Sequence, residues 1–89
     1  MEFKFEKAFE RDFKKVKDKN LAIAILECVQ KVSKAQTINE ITNIKKISGY
    51  KSAFRIRTGN YLIGIIVENN VAIFVAFAHR KDIYKKFPK

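Results

Sequence analysis

The segment Ala53–Phe87, AFRIRTGNYLIGIIVENNVAIFVAFAHRKDIYKKF, decides how this chain folds. Ala53 to Thr58 alternates, Phe54 and Ile56 on one side and Arg55 and Arg57 on the other, which is the two-residue period of a half-buried strand. Gly59-Asn60 follows, a pair that tolerates the positive φ of a two-residue hairpin turn. Tyr61 to Val67 is apolar and β-branched, and Asn69-Asn70 supplies a second turn of the same kind. Val71 to Ala78, apolar throughout with Val and Phe prominent, reads as a third strand. A short basic helix closes the segment.

With two-residue turns, directly opposed residues share a face, so register follows by counting. Arg57 then opposes Leu62 and Arg55 opposes Gly64. On the next pair Leu62 faces Phe77, Gly64 faces Val75 and Ile66 faces Ile73. His79 keeps the parity of Phe77 and is expected on the arginine face. The other face collects Phe54, Ile56, Ile63, Ile65, Val67 and Phe74, the expected core. Gly64 leaves a hollow beside Arg55.

Working outward, Glu2 to Glu6 alternates around Phe3 and Phe5 and predicts a short strand. Lys7 to Lys17 changes to helical spacing, with Phe9, Phe13 and Val16 at i, i+4 and i+7. Asp18-Lys19-Asn20 interrupts, Asn20 being the expected cap of a second helix from Leu21 to about Lys34. So short a link predicts an antiparallel helical hairpin. Thr37 to Glu40 reads as a turn or partial strand leading to Ile44–Ile47, and Ser48 to Ser52 as a basic loop. The expected architecture is an α+β fold, two N-terminal helices packed on one face of an antiparallel β-sheet with a short C-terminal helix, in a single domain over residues 1–89.

Composition narrows the function. One cysteine, Cys28, excludes an internal disulfide, and one Cys with one His makes no metal-ligand cluster, so neither metal nor cofactor is expected. The charged N-terminus is neither signal peptide nor membrane span, and a cytoplasmic protein is the simplest inference. The net charge of +10 is uneven: residues 1–42 hold nine Lys/Arg against seven Asp/Glu, residues 43–89 ten against two. So concentrated a positive field favours a polyanion, nucleic acid above all.

The order strand–helix–helix–three strands–basic helix, with Ile-Lys-Lys-Ile-Ser-Gly at 44–49, Phe-Arg-Ile-Arg-Thr-Gly-Asn-Tyr at 54–61 and His-Arg-Lys-Asp-Ile-Tyr at 79–84, resembles the RelE/ParE-type toxins of toxin–antitoxin systems over nearly the whole chain. The resemblance implies the RelE-like microbial ribonuclease toxin fold and a sheet face that cleaves messenger RNA on the translating ribosome. It implies no metal: the ribose 2′-hydroxyl attacks the neighbouring phosphate while basic residues move protons and hold charge. Arg55 and Arg57 match the family's basic residues on the strand after the loop, Arg80 the one after the last strand, and Tyr84 a tyrosine near the C-terminus. His79 belongs to the His-Arg pair of this part of the family.

The chemistry suits these residue types. Guanidinium forks suit the extra negative charge of a phosphorane, imidazole is the side chain that trades protons near neutrality, and a tyrosine can stack on a base. Arg55, Arg57, His79, Arg80 and Tyr84 are therefore the expected catalytic set, and Lys45, Lys46, Lys51, Lys81 and Lys85 an electrostatic patch for RNA. The apolar part of the arginine face, Leu62, Ile66, Ile73, Val75 and Phe77, needs a cover. The resemblance implies an antitoxin; the other covering is the terminal helix folded back together with Ile44–Ile47. Leu62 stands where many family members carry arginine. Two alternatives follow, a ParE-like inhibitor of DNA gyrase and a catalytically weak RNA-binding relative.

Overall fold

The structure, a computed structural model, describes residues 1–88. Among them the elements run β1 (Glu2–Phe5), α1 (Lys7–Lys14), α2 (Lys19–Lys34), a 3₁₀ turn (Ile38–Glu40), β2 (Ile44–Lys46), β3 (Ala53–Thr58), β4 (Tyr61–Glu68), β5 (Val71–His79) and α3 (Ile83–Lys86). The α+β class and the helix-on-sheet layering agree with expectation. The sheet itself is mixed: its order is β1-β5-β4-β3-β2, and β1 lies parallel to β5. No hairpin joins β1 to β5, and the long intervening chain permits the crossover that a parallel pair requires. Parallel pairing sets Phe3 beside Ala72 and Phe5 beside Phe74, which brings the Phe5 and Phe74 rings to 5.3 Å.

The helices cover one face. Phe9, Ile25, Cys28 and Val32 bury against Ile56, Ile63, Ile65, Phe74 and Phe77. Asp18, not Asn20, caps α2: its carboxylate accepts from the amides of Asn20 at 2.9 Å and Leu21 at 3.3 Å. A carboxylate there also meets the positive end of the helix. The chain's N-terminal ammonium group donates to the carbonyls of Ser33 and Ala35, tying β1 to the end of α2.

Both hairpins close as expected, with Gly59 at φ +63° and Asn69 and Asn70 at +52° and +60°. The β3–β4 register is the one counted from the sequence, Arg57 opposite Leu62 and Arg55 opposite Gly64. The β4–β5 register agrees only near its turn, where Ile66 opposes Ile73. A bulge then intervenes, so that Ile65 pairs with Phe74 but Gly64 pairs with Ala76 and Leu62 with Ala78. Val75 is the extra residue.

The bulge has a packing reason. Phe74 and Phe77 are three apart, so a regular strand would send them to opposite faces. One added residue lets both enter the helical core, where they are 0% and 8% exposed and Phe77 sits edge-on to Phe9 at 5.3 Å. The expected facing of Leu62 with Phe77 and of Gly64 with Val75 is thereby corrected. Phe77 and His79 move to the helix side.

A second, smaller core lies on the opposite face: Ile47, Ala53, Leu62, Ala76, Ile83 and Phe87. Four residues of helix have no stability of their own. Burial of Ile83 and Phe87, at 0% and 1% exposure, contributes roughly 1.5–3 kcal/mol each and holds α3 down. Small residues make its bed, Gly64 and Ala76 being directly paired across β4 and β5.

Candidate functional site

Arg55 and Arg57 project from β3 on the face away from α1 and α2, Arg80 follows β5, and Tyr84 sits on α3. Together with Leu62 these residues line one cleft of about 310 Å³. Two backbone hydrogen bonds hold the frame: the amide of Arg57 donates to the Asn43 carbonyl at 2.9 Å, and that of Arg80 to the Asn60 carbonyl at 3.0 Å. Lys45 on β2 lies directly opposite Arg55. Opposed like charges destabilise a sheet by up to about 1 kcal/mol, and an anion bridging them reverses the sign.

Among the described residues no carboxylate answers these charges. Among the described residues the ion pair is Asp82–Lys85, at 3.6 Å on the exposed side of α3, and none of the three arginine side chains has an acidic partner. A cluster of guanidinium forks of this kind suits a phosphate or other oxyanion chemically. Four of the five residues expected as catalytic thus meet in one cleft.

His79 does not join them. The bulge carries its side chain to the helix side of the sheet, where its ring stands edge-on to Tyr61 at 5.9 Å, and the Tyr61 hydroxyl in turn reaches Asp18 at 3.4 Å. His79 instead organises the turn after β5: Nδ1 accepts from the Lys81 amide at 3.4 Å and its carbonyl from the Asp82 amide at 2.7 Å.

The expected apolar patch is corrected as well, at Phe77 by the bulge and at Leu62 by the terminal helix. Leu62 is buried, at 3% exposure, beneath α3, and Phe77 belongs to the helical core. Ile66, Ile73 and Val75 remain half-buried on the cleft side. The C-terminal helix folded back, with Ile47, is the cover for the rest.

Of the expected lysines, Lys45, Lys46, Lys51, Lys81 and Lys85 are all exposed. Lys45 adjoins Arg55, while Lys46 pairs with Phe54 at the sheet's outer edge and Lys85 is engaged by Asp82. Cys28 is buried between helix and sheet, and burial pushes its thiol from 9.0 up to about 12. Its place is that of a small packing residue. One residue escaped the sequence reading: Tyr50, in the loop after β2, lines a groove with Arg55 and Tyr84. Its signal was an aromatic side chain beside lysine in a glycine turn.

Among the described residues no three His, Cys, Asp or Glu side chains gather to hold a metal ion, and no helix is long and apolar enough to cross a membrane. A mixed sheet carrying two helices on one face and a short C-terminal helix over a cationic cleft on the other has the RelE-like toxin fold. No family model matches the chain. It is 40% identical over 92 residues to the toxin RelE3 of Methanocaldococcus jannaschii, across 99% of this chain and 100% of that one. The crystal structure of the RelB–RelE antitoxin–toxin complex from Methanococcus jannaschii contains a chain that matches it with a TM-score of 0.75 at 39% identity, covering 94% of this chain and 98% of the other. The isolated RelE toxin of E. coli shares the fold at a TM-score of 0.65 and 12% identity, covering 94% and 90%. The chain belongs to the RelE toxin family.

Proposed function

We propose that the protein is the toxin of a toxin–antitoxin pair, that it cleaves messenger RNA on the ribosome, and that a cognate antitoxin silences it. The observation that carries this reading is the meeting of Arg55, Arg57, Arg80 and Tyr84 in one cleft with no acidic partner among the described residues. The substrate's 2′-oxygen loses its proton and attacks the adjacent phosphorus. The bond from phosphorus to the 5′-oxygen breaks, and that oxygen takes up a proton. The products are a 2′,3′-cyclic phosphate and a 5′-hydroxyl.

Arg55, Arg57 and Arg80 donate to the non-bridging oxygens, whose charge grows as the phosphorane forms. Removing one such preorganised donor typically costs about 10²–10³ in rate. Tyr84, 57% exposed on its short helix, stacks on a neighbouring base. Lys45 adds charge beside Arg55, and Lys51 and Lys81 raise the local field that draws RNA in. With His79 turned to the other face, catalysis rests on alignment and electrostatics, and solvent carries the protons.

An antitoxin segment of acidic character would neutralise the cleft and rest on Ile66, Ile73 and Val75. The RelB–RelE complexes among the similar structures support such a partner. Action on the ribosome would put the protein in the cytoplasm.

Primer extension on messenger RNA in a cell-free translation reaction tests the reading, comparing wild type with Arg55→Ala and Arg80→Ala. Discrete cuts that vanish in the variants are expected. An uncut message would sink the nuclease reading, and DNA-gyrase supercoiling would then be the assay to run.

A further inference from the structure

A groove of about 490 Å³ begins where the arginine cleft ends, and Arg55 lines both. Tyr50 and Tyr84, the former from the loop after β2 and the latter from α3, also line this groove, and both are exposed, at 45% and 57%. Its size is within the range of sites that take a small organic ligand, about 300–1,000 Å³.

The two tyrosines are distant in sequence yet hang from one support. Ile47, at the base of the loop, is buried in the same small core as Ile83 and Phe87, which flank Tyr84 on either side. The loop itself is closed: the Ile47 amide donates to the Ala53 carbonyl at 2.9 Å and the Tyr50 amide to the Ile47 carbonyl at 3.2 Å. Gly49, at φ +86°, makes the turn between. None of these bonds uses the Tyr50 ring. An aromatic side chain held in water by a fixed backbone, beside a guanidinium, is the arrangement by which single-stranded RNA is bound through its base.

We infer that Tyr50 is a nucleotide-binding residue: with a phosphate on Arg55, the base next to it enters the groove and stacks on Tyr50, with Tyr84 on the other side. The inference rests on the nuclease reading and deepens it. It extends the footprint of the site beyond the scissile phosphate, onto a loop that carries no part of the cleavage chemistry. The ligand is a single-stranded ribonucleotide flanking the cut, and its sugar–phosphate is held by Arg55 and Lys45.

The test is single-turnover cleavage of a defined short messenger RNA on programmed ribosomes by wild type and by Tyr50→Phe, Tyr50→Trp, Tyr50→Leu and Tyr50→Ala. Stacking predicts that Phe and Trp cut within about twofold of wild type and that Leu and Ala cut about tenfold more slowly, the usual worth of one base–aromatic stack. Leu matching Phe would mean bulk and not a ring is needed, which overturns the inference. Phe as slow as Ala would assign the work to the hydroxyl and overturn it too, as would four variants that all cut at the wild-type rate. A wild-type protein that leaves the message uncut removes the nuclease reading, and this inference with it.

Discussion

The ring of Phe87 fills the space above Gly64. A Cβ on Gly64 would stand 2.7 Å from Cγ and 2.8 Å from Cε2 of that ring, closer than packed carbon atoms tolerate. Glycine is therefore required in the middle of β4 because a residue near the end of the chain lies on it. Gly64→Ala in a strand interior would otherwise be favourable. Here it is expected to destabilise by about 1–3 kcal/mol through overpacking and to unseat α3 with Tyr84. Urea unfolding checks the sign. The double variant Gly64→Ala/Phe87→Leu should recover about 1 kcal/mol over the sum of the single effects; strict additivity would refute the contact.

His79 and Arg55 should separate cleanly in kinetics. His79→Ala is expected to keep cleavage within about threefold of wild type and leave the pH–rate profile superimposable, because the ring packs on Tyr61. Arg55→Ala should cost about 10²–10³ in rate. A profile that loses an inflection in His79→Ala would return the imidazole to the reaction.

Asp18 joins α2 to the sheet. It caps the helix and meets the Tyr61 hydroxyl at 3.4 Å. Asp18→Ala should lower stability by about 1 kcal/mol, the usual worth of a cap, while Asn20→Ala should change it little. Thermal melts of the two variants decide which residue caps.

Cys28 gives a prediction in pH. Its thiol is held near 12 in the folded chain against 9.0 otherwise, because burial disfavours the thiolate. The folded value is the higher, so this stabilisation is complete below about pH 9 and is lost as pH rises from 9 towards 12. Cys28→Ala should flatten the alkaline limb of a stability–pH curve. Native protein at pH 8 should also resist iodoacetamide, with labelling following only on unfolding.

Much of the site was legible in the linear chain because its signals are local. The alternation Phe54-Arg55-Ile56-Arg57 and the Gly59-Asn60 turn set the β3–β4 register, which puts both arginines on one face whatever packs behind them. On β5 the same arithmetic failed. Val71 to Ala78 is apolar at every position, so no polar residue marks which parity faces the core, and the wish of Phe74 and Phe77 to enter it together was met by a bulge at Val75. That single residue took His79 away from the arginines and Phe77 away from the apolar patch.

The amino-acid sequence alone determined the α+β class, the hairpins, the arginine pair and the basic bias of the second half, since each depends on neighbours a few residues apart. The tertiary structure decided the parallel seat of β1, the face of His79, the burial of Leu62 and the placing of Tyr50 and Tyr84 along one groove. Those depend on long-range competition for buried volume, in which the largest side chains take the core and the backbone yields to them.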